Sequence, residues 1–199
     1  KPGYAPAHQW YGFYLTAQGR LNEAIDQITE ALRLDPLTPF VAANLAWANY
    51  VAGNYELAIA QSEKTLQAHP DFHVAHYNLG LVYVQQGMFE RAVSEFEAAR
   101  ALDPENPYVL SLLGYALALS GARSKADAVL GELEQRNSRK TVDPTFFAII
   151  HLGLGDVAFS LATTRTAFEH RLALSVRSRQ ELDAALEAAS QGRTPPGVV

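Results

Sequence analysis

Three histidines, His69, His73 and His76, crowd one stretch of the chain with Asp71 between them. If His73 and His76 start a helix they share a face, a spacing used by divalent metal sites. Such a site needs a third ligand, and Asp71 is the only near carboxylate. A solvated or stacked histidine pair is therefore the expectation. His151 in an apolar stretch, and His170 beside Glu169, stand with no nucleophile at a readable spacing, which leaves acyl-transfer chemistry without a constellation. Gly153-Leu154-Gly155-Asp156-Val157-Ala158 follows the strand-like Phe146 to Ile150 and has the outline of a dinucleotide fingerprint. No doubly wound sheet can be assembled from the rest of the chain, so the match is set aside. Carboxylates at Glu23, Asp26 and Glu30, and again at Glu90, Glu95 and Glu97, recur as a wet helix face recurs. No catalytic residue, metal site or cofactor is expected.

Composition narrows the classes further. The 199 residues carry 16 Lys+Arg against 21 Asp+Glu, a formal charge of −5, and no Cys. Phosphate neutralisation needs a basic excess, so nucleic acid is not an expected partner. Between Arg136 and Arg179 the balance turns positive, which reads as a solvated basic patch, with docking of an acidic partner as the competing reading. Leu37 to Tyr55 is uncharged and nearly long enough to span a bilayer. It holds Pro39, Asn44, Asn49 and Asn54, whose polar groups hydrocarbon would leave unsatisfied, so it reads as a buried helix. The start at Lys1-Pro2 suggests a domain of a larger protein, and the expected setting is cytoplasmic.

The elements that would carry any site are announced by a period. Gly19, Gly53, Gly87, Gly121 and Gly155 are 34 residues apart, and so are Pro36, Pro70 and Pro104, and Ala24, Ala58, Ala92 and Ala126. A fixed interval of this length marks stacked helical hairpins, because one hairpin cannot bury its apolar face alone. Gly supplies a positive-φ turn between the two helices, and Pro stops the second. Gly12, Ala46, Gly80, Gly114 and Ala148 are a second small set, on the first helices, where close approach would exclude anything larger.

Tyr77-Asn78-Leu79-Gly80-Leu81-Val82-Tyr83, with Gly87, Ala92, Phe96, Ala99 and Pro104, resembles the tetratricopeptide repeat. The resemblance implies an all-α fold, a right-handed solenoid of helical hairpins. Four units would run 5–38, 39–72, 73–106 and 107–140, with a degenerate fifth at 141–170 and a closing cap or linker at 171–199. The fourth has Ser138 where Pro is due, and the fifth has Ser160 where Ala is usual. The first unit is also similar to repeat regions attached to bacterial regulators, adenylate cyclases and kinases. That implies a non-enzymatic accessory domain for binding a protein or peptide.

In this family the first helices line a concave groove. Carried onto this chain, the lining is Gln9 and Phe13, then Phe40, Trp47 and Tyr50, then Tyr77, Leu81 and Gln85, then Tyr108, Ser111 and Tyr115, then Thr145, Ile149 and Leu152. Asn44 and Asn78 would hold a peptide backbone. Rings with few rotamers and one polar atom suit peptide recognition. Almost no cation falls on these places, which disfavours a charged chain end as ligand. Rings that merely seal neighbouring helices, or a groove filled by the chain's own tail or by self-association, are the competing readings.

From Asp156 to Arg165, and at Phe168 to Arg171, Arg179 to Leu182, Gly192 and Pro196 to Val199, the sequence is similar to the linker between ketosynthase and acyltransferase in modular polyketide synthases. The alternative function is thus a structural linker or docking scaffold within such a synthase. Residue patterns there read as a helix from Asp156 to His170, a strand-like run from Arg171 to Val176 and an amphipathic helix from Ser178 to Gln191. Leu182, Ala185, Leu186 and Ala189 form the stripe of that last helix.

Overall fold

The computed structural model describes residues 3–139 and 141–155. These form nine helices, with no strand among the described residues: α1 (Ala5–Ala17), α2 (Leu21–Leu34), α3 (Pro39–Val51), α4 (Tyr55–Ala68), α5 (His73–Gln85), α6 (Phe89–Leu102), α7 (Pro107–Leu119), α8 (Arg123–Arg139) and α9 (Pro144–Leu154). The expected strand-like run at 171–176 and the two C-terminal helices lie outside the described residues. Phe146 to Ile150, read above as strand-like, is helical and belongs to α9. Its β-branched and aromatic residues are outvoted by Pro144 in the first turn, the Asp143 cap and tertiary packing.

The five periodic glycines have φ between 72° and 82°. Only a residue without Cβ holds that conformation cheaply. After Gly19, Gly53, Gly87 and Gly121 the chain closes a helix-ending motif: the N–H groups of Arg20, Asn54, Met88 and Ala122 donate to the carbonyls of Leu15, Asn49, Tyr83 and Leu117 at 2.8–2.9 Å. Leu37 to Tyr55 is therefore not one helix, because the turn at Gly53 divides it between α3 and the start of α4. Among the described residues no helix is long and apolar enough to cross a membrane.

Proline acts through the residue before it. Asp35, His69 and Asp103 each have φ between −135° and −138° and ψ between 74° and 79°, the extended conformation that a following proline ring enforces. Where Ser138 replaces that proline the helix runs on: α8 has 17 residues against 14 in each of α2, α4 and α6.

The chain divides into two compact units, Lys1–Val109 and Leu110–Val199, and the boundary falls inside α7. In the first, α1 pairs with α2, α3 with α4 and α5 with α6, while α2 touches α3, α4 touches α5, and α1, α3 and α5 meet side by side. In the second, α8 packs on α9.

Small residues set the hairpin spacing. A Cβ on Gly12 would stand 2.6 Å from Ile28 Cγ1, and one on Gly80 only 2.4 Å from Phe96 Cε1. The middle hairpin makes the opposite trade, with Ala46 where the others have Gly and Ser62 where they have Ile28 and Phe96. Ser62 is fully buried and its hydroxyl has no hydrogen-bond partner. Ser62→Ala is therefore expected to raise stability by about 1 kcal/mol, since the desolvated hydroxyl is removed and the volume kept. Thermal melts of the two chains would show it, and a lower melting temperature in the variant would contradict it.

Candidate functional site

Because α1, α3 and α5 lie side by side, the residues on their shared face become neighbours. Phe13 of α1 meets Trp47 of α3 edge to face at 5.8 Å, and Trp10 adds to the same row at 5.8 Å from Phe13. A second row starts at Phe40, whose ring stands 4.9 Å from Phe72. It continues through His73 to Tyr77 and on to Tyr108, the last two rings 5.7 Å apart and nearly perpendicular. Edge-to-face pairs at such distances contribute about 1 kcal/mol each beyond the area they bury. The rows are thus partly structural, and they also hold their rings in fixed poses.

The two rows share a hollow of about 200 Å³ lined by Phe13, Asn44, Trp47, Val74, Tyr77 and Asn78. No charged side chain lines it. Asn78 is 2% exposed; its amide nitrogen donates to the Ala43 carbonyl at 2.9 Å, and its Oδ1 has no partner. That oxygen is desolvated as well as unpaired, a cost of about 1 kcal/mol or more to the fold. Burial, and secondarily the neighbouring Tyr108, pushes the Tyr77 phenol up to about 12, and burial also raises Tyr108. Both remain neutral hydroxyls at physiological pH.

Of the residues expected to line a groove, Phe13, Asn44, Trp47, Tyr77 and Asn78 share this hollow, and Phe40 and Tyr108 extend its rows. Tyr50 lies one step further along, its hydroxyl accepting from Gln85 Nε2 at 3.4 Å. Gln9 on α1 and Leu81 on α5 are half-buried. Ser111 and Tyr115 belong to the second unit. Ser111 is fully buried there, and Tyr115 packs against α9, where a Cβ on Gly153 would come 2.8 Å from its ring. Thr145 and Leu152 are exposed on α9 and Ile149 is half-buried.

Trp10, Phe72 and Val74 are absent from the expected lining. Trp10 had a signal, since it precedes Asn44 and Asn78 by one and two intervals of 34. Phe72 closes the preceding hairpin, a place that the first-helix rule does not inspect.

The histidines part company. His73 Nε2 lies 3.5 Å from Asp103, whereas His76 Nδ1 meets Glu95 at 2.8 Å. Among the described residues no three His, Asp or Glu side chains converge as a metal site would require. Two other hollows, of about 160 and 350 Å³, involve α2 and α4. Both include Lys64, and neither has the rows of rings.

Comparison with known proteins bears on both ends of the chain. Models described as tetratricopeptide repeat match residues 14–72, 50–114 and 83–139. A model described as a RhiE-like, KS-MAT linker domain matches 145–193. The chain is 31% identical over 88 residues to the Hsp70-Hsp90 organizing protein of Triticum aestivum, covering 44% of this chain and 15% of that one. It is 39% identical over 72 residues to the polyketide synthase GfsB of Streptomyces halstedii, covering 36% of this chain and 1% of that one. Among solved structures, a thermophilic TPR protein of Thermus thermophilus superposes with a TM-score of 0.68 at 22% identity, covering 94% of this chain and 97% of that one. The first TPR of Spaghetti (RPAP3), bound to the HSP90 peptide SRMEEVD, gives 0.52 at 22% identity, covering 60% and 93%. At those identities the structural likeness speaks to the fold alone.

Proposed function

We propose, from the premise that the chain belongs to the tetratricopeptide repeat family, that its first unit is a protein-interaction module. In this reading the α1–α3–α5 face takes an uncharged stretch of peptide bearing aromatic or aliphatic side chains. The observation that carries it is the hollow between two rows of rings, with Asn44 and Asn78 set among them. Fixed rings offer contact area at little entropic cost, and the Asn44 amide offers groups for a peptide backbone. The peptide bound by the first TPR of Spaghetti is acidic. The lining here has no cation to meet such a sequence, which supports an uncharged ligand.

The reading is non-catalytic: the lining contains no carboxylate or histidine, so its one hydroxyl, the Tyr77 phenol, has no base beside it to activate it. Repeats at 5–38, 39–72, 73–106 and 107–140, a degenerate fifth at 141–170 and a closing segment at 171–199 are part of the same proposal, as is a cytoplasmic setting.

The chain has two tryptophans, Trp10 and Trp47, and both stand in the first row. Intrinsic fluorescence is thus a reporter of the proposed face. Titration with a panel of uncharged peptides containing Phe, Leu or Tyr is expected to shift it, and SRMEEVD is expected not to. Trp47→Ala should weaken the best peptide about thirtyfold, as loss of a central aromatic anchor does, with helical circular dichroism intact. Unchanged affinity in that variant would reduce the rings to packing.

A second reading places the module in a polyketide assembly line as a docking or spacing element. It is supported by the linker match over 145–193 and by the Streptomyces synthase relatives. An acyltransferase region encoded directly downstream would support it, and a stop codon there would count against it.

A further inference from the structure

Four aromatic side chains stand open on or beside one helix: Tyr4, just before α1, is 57% exposed, Trp10 69%, Tyr11 45% and Tyr14 57%. With Ala7 and Ala17, also exposed, they follow one another at helical steps of three and four and so share one side of α1. Tyr11 and Tyr14 are stacked on each other, their centroids 6.2 Å apart and their planes 13° from parallel. Single exposed rings need no explanation, whereas a contiguous apolar patch of several hundred Å² marks a contact surface.

The period shows what this side of a first helix does elsewhere. Ala7, Tyr11 and Tyr14 precede Val41, Leu45 and Ala48 by one interval of 34, and Ala75, Leu79 and Val82 by two. Those places on α3 and α5 are buried or half-buried. Val41 packs with Ala31 of α2, and α5 lies on α3 and α4, so this side is the one that a first helix turns to the hairpin before it. Tyr14, however, stands where α3 has Ala48 and α5 has Val82, both buried. A phenol ring is too large for that spacing, so the α1 edge is not cut to receive another hairpin in the same register.

Its properties fit a copy of itself. Helix α1 has no Asp, Glu, Lys or Arg, and the next charge along the chain, Arg20, is already paired with Glu23 at 2.5 Å. Two chains of formal charge −5 can therefore meet here without bringing like charges together. At roughly 200 Å² for a whole ring side chain, the exposed fractions leave about 450 Å² open on one copy, or about 900 Å² for a pair before flanking residues are counted, close to the ~1,000 Å² that a specific interface needs. The order of sizes along the stripe is also self-complementary on reversal. Antiparallel pairing about a centre between Trp10 and Tyr11 lays Tyr14 over Ala7, Tyr4 over Ala17 and Trp10 beside Tyr11, large on small at both ends.

We propose that the Tyr4–Tyr14 side of α1 is the seat of a second copy of this chain, joined two-fold with the two α1 helices antiparallel. The inference does not rest on the peptide groove. Trp10 borders both surfaces, so the tests use other positions.

Sedimentation equilibrium of the full chain from about 1 to 200 µM is expected to pass from monomer to dimer with a midpoint of about 10 µM, as an interface at the small end of the range gives. Tyr11→Lys with Tyr14→Lys should weaken the dimer about a hundredfold, with helical circular dichroism intact, since two exposed rings are lost and like charges face each other across the axis. Leu152→Lys, an exposed apolar place on α9, should leave the midpoint unchanged. The absence of native cysteine allows a test of direction. When Ala7→Cys and Tyr14→Cys chains are mixed and oxidised, they should join each other faster than either joins itself. A wild-type chain that stays monomeric at 200 µM overturns the proposal. A dimer that survives the lysines, or one that Leu152→Lys breaks equally, places the interface elsewhere and also overturns it. Preferential self-joining of Ala7→Cys overturns the antiparallel arrangement.

Discussion

Ala92→Glu is expected to destabilise the first unit strongly at neutral pH. Ala92 is fully buried on α6, which packs against α5, and it keeps the 34-residue interval with Ala24, Ala58 and Ala126, all buried. A glutamate there would carry its carboxylate into a site closed to water. An unpaired buried charge of this kind costs about 4 kcal/mol, or roughly 10 °C or more in melting temperature for a chain of this size. The pH dependence separates charge from bulk. Burial raises the carboxyl's folded-state pKa above its unfolded value of about 4.3, so the neutral form is the one the fold tolerates. The penalty should therefore shrink as pH falls through the raised value and grow as pH rises above the unfolded one. Ala92→Gln supplies the bulk without the charge. Melts at pH 4.5 and 7.5 that show the same deficit for the glutamate variant would contradict this account.

That experiment addresses the part of the molecule most legible in sequence. Three sets of residues at one interval were enough to locate the turns, because each has a backbone reason: positive φ at Gly53 or Gly87, and an extended residue before Pro70 or Pro104. The break in the pattern was equally readable in position but not in consequence. Ser138 announces a missing stop, yet that α8 would run on to Arg139 and that α9 would begin at Pro144 depends on cooperative helix extension meeting the Asp143 cap.

The aromatic face was legible only in part. Phe13, Trp47 and Tyr77 follow from places on first helices, since side chains an interval apart come together when those helices lie side by side. Which ring meets which was not readable. Phe72 enters the second row from the end of a hairpin, and Trp10 joins the first from a place that the next two hairpins give to asparagine. Asn78 illustrates the limit best. Its type suggested a group for a ligand, but its amide nitrogen is already given to Ala43, and only the oxygen is left over. Polarity is written in the sequence, whereas the direction a side chain has spent it in is decided by the neighbouring helix.

The same distinction governs the second large effect. Gly80→Ala would ordinarily stabilise a helix by about 1 kcal/mol. Here the new methyl would lie 2.4 Å from Cε1 and 2.7 Å from Cδ1 of Phe96, a fully buried ring with no free end to swing away. A net loss of about 3 kcal/mol is expected, because overpacking must displace either the ring or the α5–α6 spacing. Gly131→Ala on α8 is the matched control: a Cβ there meets nothing within 4 Å, so that variant should gain stability. The middle hairpin shows how the fold accommodates the larger first-helix residue, with Ala46 set where Gly is and Ser62 in place of the bulky partner. Shrinking the ring should accordingly rescue the variant. Phe96→Leu in the Gly80→Ala background is expected to cost less than Phe96→Leu alone, with a coupling of about 1 kcal/mol or more in urea denaturation. Strict additivity of the two substitutions would mean that the glycine is spaced for some other reason than this ring.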